Sequence, residues 1–228
     1  MAEVRGGAHT NDARGGSQRH GSSWRAPLLE LRRRHAPRLV FAVGLFGCLA
    51  TTTVLLDNWG PHLFQRLLAP TSAELPHALL LLLSAGDLAG ILLSILIVDK
   101  VGRRGCLHLG FFGQAALYVL MALAPRRAAP LAALGFAATG CRCFGWEAAQ
   151  IWVVEAFPTT VRATALGLCS TAMRLLSIAT LGLSAAGARD VEPTAALLTL
   201  AALLTGGGLY ATLLPMETAG SRLAGDEL

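Results

Sequence analysis

Residues 152–174 read Trp-Val-Val-Glu-Ala-Phe-Pro-Thr-Thr-Val-Arg-Ala-Thr-Ala-Leu-Gly-Leu-Cys-Ser-Thr-Ala-Met-Arg. Two hydrophobic segments meet here at a short turn, with an acid before it (Glu155) and a base after it (Arg162). Pro158 stops the incoming helix, Thr159 or Thr160 can cap the next one, and the opposite charges can pair across the turn. The second segment then carries Arg174 to the depth of a membrane centre. A cation there is expensive, and such residues line water-filled paths or pair with a buried partner.

Working outward, hydrophobic residues make up 54% of the 228-residue chain and charged residues 14%, a balance foreign to ordinary soluble domains. The apolar residues fall in six blocks, near 38–57, 76–98, 106–124, 130–154, 163–186 and 194–214. Each approaches the roughly 20 residues that a helix needs to cross the hydrocarbon core. Pro61, Pro70, Pro125, Pro130, Pro158, Pro193 and Pro215 lie at or near the block edges, where a missing N–H costs least. The expected fold is all-α, a six-span transmembrane bundle. Residues 1–37 are expected to form a disordered basic cytosolic tail, and 215–228 a second cytosolic tail.

The formal charge of +5 is distributed as an orientation signal rather than a nucleic-acid surface. Residues 1–38 hold eight arginines; Lys100, Arg103, Arg104, Arg162 and Arg222 fall on the same side of the expected bundle. Arg66, Arg126, Arg127 and Arg189 face the other side. The excess places both termini in the cytosol. A basic segment beside the first span can also touch anionic lipid, although orientation alone accounts for it. The five cysteines sit in or beside spans with no zinc or disulfide spacing, and the six histidines never cluster. No phosphate loop, metal-binding pair or nucleophile elbow is present. The expectation is a non-enzyme without cofactor or metal.

Four motifs carry a resemblance. Asp99-Lys100-Val101-Gly102-Arg103-Arg104 closes the second span, and Glu155 to Arg162 reads Glu-x-Phe-Pro-Thr-x-x-Arg. Leu214-Pro215-Met216-Glu217-Thr218 follows the last span, and Cys169 to Arg174 lies in the fifth. Together they resemble the major facilitator superfamily, in particular the C-terminal six-helix half of organic-ion carriers and synaptic-vesicle-protein-related carriers. The resemblance covers residues 38–220. It implies alternating-access transport of a small organic solute. Because the Arg174 position is basic in the family's anion carriers and vesicle-type proteins, it implies an organic anion or an internal ion pair. Asp99, Lys100, Gly102, Arg103, Arg104, Glu155, Pro158, Arg162 and Glu217 would form the cytoplasmic gating motifs.

Periodicity marks a face independently. Gly167, Ser170, Arg174 and Ser177 recur every three to four residues and share one stripe of the fifth helix. Arg142, Trp146 and Ala149 share a face of the fourth, with Glu147 and Gln150 on another; Asp87 lies mid-way along the second. Arg174, Ser170, Ser177, Trp146 and Arg142 are the substrate-binding candidates, and Asp87 and Glu147 the counter-charges or proton sites. Mutual neutralisation of the arginines and acids stands beside that reading, as does simple packing for Trp146. Gly86 and Gly90, four apart, permit close approach of another helix.

A complete carrier of this kind has two six-span halves around a cavity. The partners expected are therefore membrane lipid, a small-molecule substrate and a second six-span half, from a copy of this chain or another. The other reading is a non-transporting interaction or regulatory protein, or an inactive remnant of a carrier. Plasma membrane and vesicle membrane are not distinguished.

Overall fold

A computed structural model describes residues 25–68, 75–187 and 192–214. The described residues form helices α1 (Arg25–Arg34), α2 (Ala36–Leu68), α3 (Leu75–His108), α4 (Gln114–Leu123), α5 (Ala128–Ala156), α6 (Thr159–Gly187) and α7 (Pro193–Ala211). A π-helical turn, Leu109–Gly113, joins α3 to α4.

The long α3 is two passes rather than one. Gly102 has φ 82°, ψ 163°, a conformation that side-chain-bearing residues avoid, and it breaks the helix. The register on α5 shows the reversal. Gly86 lies against Phe136 and Thr139, Gly90 against Gly140, and Arg103 against Glu155. Beyond the break the order runs backwards, with Gly110 against Gly145 and Gly113 near Cys141. The second pass (α3 up to Gly102) and the fourth (α5) are thus parallel, and the third (from Arg103 through α4) returns antiparallel between them and α7.

These close approaches rest on glycine. An added Cβ at Gly90 or Gly110 would collide with the backbone of Gly140 or Gly145. Small-residue contact of this kind holds helices together where lipid offers no hydrophobic driving force. The π turn serves the same end on its far side, since the rings of Phe111 and Phe112 seat on Gly207 and Gly208 of α7.

Four stretches are long and apolar enough to cross a membrane: Ala36–Leu67, Leu80–Leu123, Thr159–Ser184 and Pro193–Ala211. The second, at 44 residues, is the doubled pass. α5 is not among them, for it carries Arg142, Glu147 and Glu155. It tolerates them because its surroundings are protein: Trp152, Val153, Ala148 and Ala149 are wholly enclosed. Phe41 of α2 stands edge-on to Trp152 at 5.3 Å and stacks on Tyr210 of α7 at 5.0 Å. The opposite holds for α6, whose apolar window is only 6% buried. The chain is an integral membrane protein with an all-helical bundle.

Two expectations are corrected. Residues 25–34, assigned to a disordered tail, form α1 because Leu31 packs into the bundle and is 1% exposed. The first span does not end at Asp57. α2 runs to Leu68 with Pro61 inside it. The proline removes one backbone N–H, but the buried faces of Leu63, Phe64 and Leu67 keep the helix going. Pro70, Arg189, Pro215, Glu217 and the remaining tail residues lie outside the described residues.

Candidate functional site

Two charge centres are built from the passes, one at each depth. At the end shared by the Gly102 break and the α5–α6 turn, Arg103 is the hub. Its guanidinium grips Glu155 with Nε to Oε2 at 3.0 Å and Nη2 to Oε1 at 2.6 Å, and Nη1 meets Asp99 Oδ1 at 2.9 Å. The Arg103 side chain is 10% exposed, so this bidentate pair is shielded from water. One side chain therefore ties the ends of passes two, three and four. The backbone allows this because Gly102, turning in the left-handed region, points the next residue back into the bundle.

Other arginines at this end satisfy helix C-terminal carbonyls, which have no intrahelical donors. Arg38 Nη1 donates to Ala156 O at 3.1 Å, Arg162 Nε to Phe157 O at 3.3 Å, and Arg104 to Thr212 O. Positive charge at a helix C-terminus also suits the macrodipole. The expected pairing of Glu155 with Arg162 across the turn is replaced. Glu155 takes Arg103, whose planar fork matches both carboxylate oxygens, while Arg162 caps the helix that it follows. Pro158 accepts from Val161 N and Arg162 N, starting α6 by its own carbonyl. Lys100 is exposed.

The second centre lies deeper. Arg142 of α5 donates from Nη2 to Asp87 Oδ2 at 2.6 Å, and its Nη1 stands 3.6 Å from Asp57 Oδ1 of α2. Cys143 Sγ donates to Asp87 O at 3.3 Å, fixing that pass against α5. Two cavities flank the pair. One of about 200 Å³ is lined by Asp57, Ser84, Asp87, Tyr118, Thr139 and Arg142 among others. The other, about 360 Å³, has Thr53, Asp87, Ile91, Arg142, Cys143, Trp146 and Glu147. Glu147 thus joins the face of Arg142 and Trp146. Trp146 itself leans on Phe46, with ring centroids 6.1 Å apart.

The fifth-helix stripe stands apart from this centre. Gly167 and Arg174 are exposed and Ser170 and Ser177 half-buried on α6, and none of them lines either cavity. Arg174 makes no ion pair among the described residues. A third cavity, about 350 Å³, runs between Gly44, Gly47, Cys48 and Thr51 of α2, Leu176 of α6 and Leu203 of α7.

The sequence singled out Arg142, Asp87, Glu147 and Trp146, and the fold gathers them. It missed Asp57, whose only sequence signal is an acid at the close of an apolar block. It also missed Tyr118, 2% exposed, whose hydroxyl accepts from Gln114 Nε2 at 2.9 Å. Among the described residues no group of His, Cys, Asp and Glu could hold a metal.

The motif segments thus meet as a doubled pass reversing at a glycine, an arginine stitched across three pass ends, and a Pro158 turn into α6. The model of the family described as sugar (and other) transporter matches residues 8–225. The chain belongs to this family. It is a member of the major facilitator superfamily, and membership supports membrane transport by a carrier of that type rather than catalysis. A search of curated proteins gave no match.

Proposed function

We propose that the chain forms the C-terminal six-helix part of an alternating-access carrier for a small organic anion, with its arginine-rich end in the cytosol. One observation carries this reading: of the two arginines within passes, Arg142 is already paired with Asp87 and Asp57, whereas Arg174 is exposed and makes no ion pair among the described residues. A guanidinium stays charged and presents a fork suited to carboxylate or sulfonate. Gly167, Ser170 and Ser177 give the same stripe a small, hydroxyl-bearing lining. The Arg142 centre acts as fixed counter-charge, with Asp57 or Glu147 as the acid that a coupled proton would reach. The Arg103 hub and the 155–162 turn gate the cytosolic side by holding or releasing the pass ends.

Exposure of α6, and of Leu81, Leu88, Leu92 and Ile95 on α3, leaves apolar faces that a second six-span bundle could cover. Uptake of labelled organic anions into vesicles holding the chain, with and without co-expressed six-span partners, tests the reading. Arg174→Ala is expected to lower binding about 10-fold or more, the loss typical of a charge-assisted hydrogen bond. Undiminished uptake in that variant removes the assigned role. Partner capture with neither uptake nor anion binding would instead mark an interaction or regulatory protein.

A further inference from the structure

The ten-residue helix α1 is not used by the transport reading, yet it is built with care. Leu31 is 1% exposed where α1 packs on α6, and the ring of His35 meets Phe157 edge-on at 6.1 Å. With that face anchored beside the α5–α6 turn, the opposite face is fixed in direction. It presents Leu29, 51% exposed, on one stripe with Arg32 and Arg33 at i+3 and i+4. Arg34 is exposed beside them, and none of the three arginines makes an ion pair among the described residues. The one acid of the helix, Glu30, is half-buried, so the outer face keeps a net positive charge.

An exposed leucine among arginines is out of place in water but matches the boundary between acyl chains and headgroups. α1 stands at that boundary, since α2 enters its first apolar pass two residues after Arg34. Orientation of the chain would need only the charges. It would not need them held on a docked helix with an apolar residue in the same stripe.

We infer that α1 is a surface foot that binds anionic phospholipid, with Arg32, Arg33 and Arg34 on headgroup phosphate and Leu29 in the acyl boundary. Because α1 rests on α6, headgroup occupancy ties the least enclosed pass to the charge of the leaflet.

Native mass spectrometry of the full chain released from nanodiscs of phosphatidylcholine with about one-third phosphatidylserine tests this. The wild type is expected to retain phosphatidylserine over phosphatidylcholine, and the preference should fall with salt. Combined Arg32→Gln, Arg33→Gln and Arg34→Gln should reduce retention about five-fold per arginine removed. The triple Lys variant, which keeps the charge and hence the insertion signal, should hold most of it. Equal retention in wild type and the Gln variant overturns the proposal. So does a Lys variant as poor as the Gln one, or soluble glycerophosphoserine displacing the bound lipid at equal concentration, which would indicate a phosphate site without a membrane component.

Discussion

α5 and α6 are each 29 residues long, joined through Phe157 and Pro158, and each carries one arginine well inside. They could hardly be placed more differently. α5 sits among other passes and gives Arg142 two carboxylates; α6 packs chiefly on α2 and leaves Arg174 with none among the described residues. The lesson is that a charge within a span has two physical solutions, and helix placement selects between them. An arginine at a helix centre costs about 2.5–3.5 kcal/mol on insertion scales. Arg142 offsets that cost with protein acids, and Arg174 offsets it with whatever fills the space beside it.

The sharpest way to break this contrast is to remove each arginine. Arg142→Ala leaves two acids facing each other in a partly enclosed site and should destabilise by about 3–5 kcal/mol. Arg174→Ala should change stability by less than about 0.5 kcal/mol. Thermal unfolding in one detergent compares them, and equal losses would refute the division of roles. Glycines offer a second contrast. Gly90→Ala drives a methyl into Gly140 and is expected to cost about 1–3 kcal/mol. At Gly167 an added Cβ meets nothing within 4 Å, so Gly167→Ala should stabilise α6 by about 0.5–1 kcal/mol.

Accessibility sharpens the comparison further. Ser177→Cys should react with water-soluble thiol reagents at least about ten times faster than Ile178→Cys on the neighbouring, 67% exposed apolar face. That expectation rests on water-lined space beside the Arg174 stripe, as charged residues within spans require. Preference of both sites for lipid-dissolved reagents would contradict it.

The smallest effect concerns the foot of α6. Burial, and next Arg38, lower the His35 pKa below its ordinary value; Glu30 opposes weakly and Arg34 adds to the lowering. The docked state thus favours neutral imidazole. Its contribution is complete above about pH 6.5 and declines as acid protonates the undocked state first. The protection of α1 amides, taken as exchange relative to the intrinsic rate at each pH, should fall between pH 7.5 and 5.5, and His35→Gln should flatten that dependence.

Much of this was legible in the residues. Block length reports apolarity, so an all-helical membrane bundle follows directly. What apolarity cannot report is which neighbour a face meets. Asp57 becomes a partner of Arg142 because α2 is packed so as to bring it within 3.6 Å of that guanidinium, which local propensity does not report. For the same reason α1 was hidden: a ten-residue segment rich in arginine has little helical drive of its own, and Leu31 acquires a reason to order only when α6 is there to receive it. The reassignment of Glu155 from Arg162 to Arg103 likewise needed the third pass to come back.

Arg103 has a mechanical corollary. With three pass ends knotted to one guanidinium and α3 pressed glycine-to-glycine on α5, passes two to four form a stiff block. α6 hangs from α2 instead, and its link to the block is the extended Phe157 and a proline that offers no amide hydrogen. Any rocking within the bundle would therefore pivot at that joint, swinging Arg174 as the tip of a lever while Arg142 stays still.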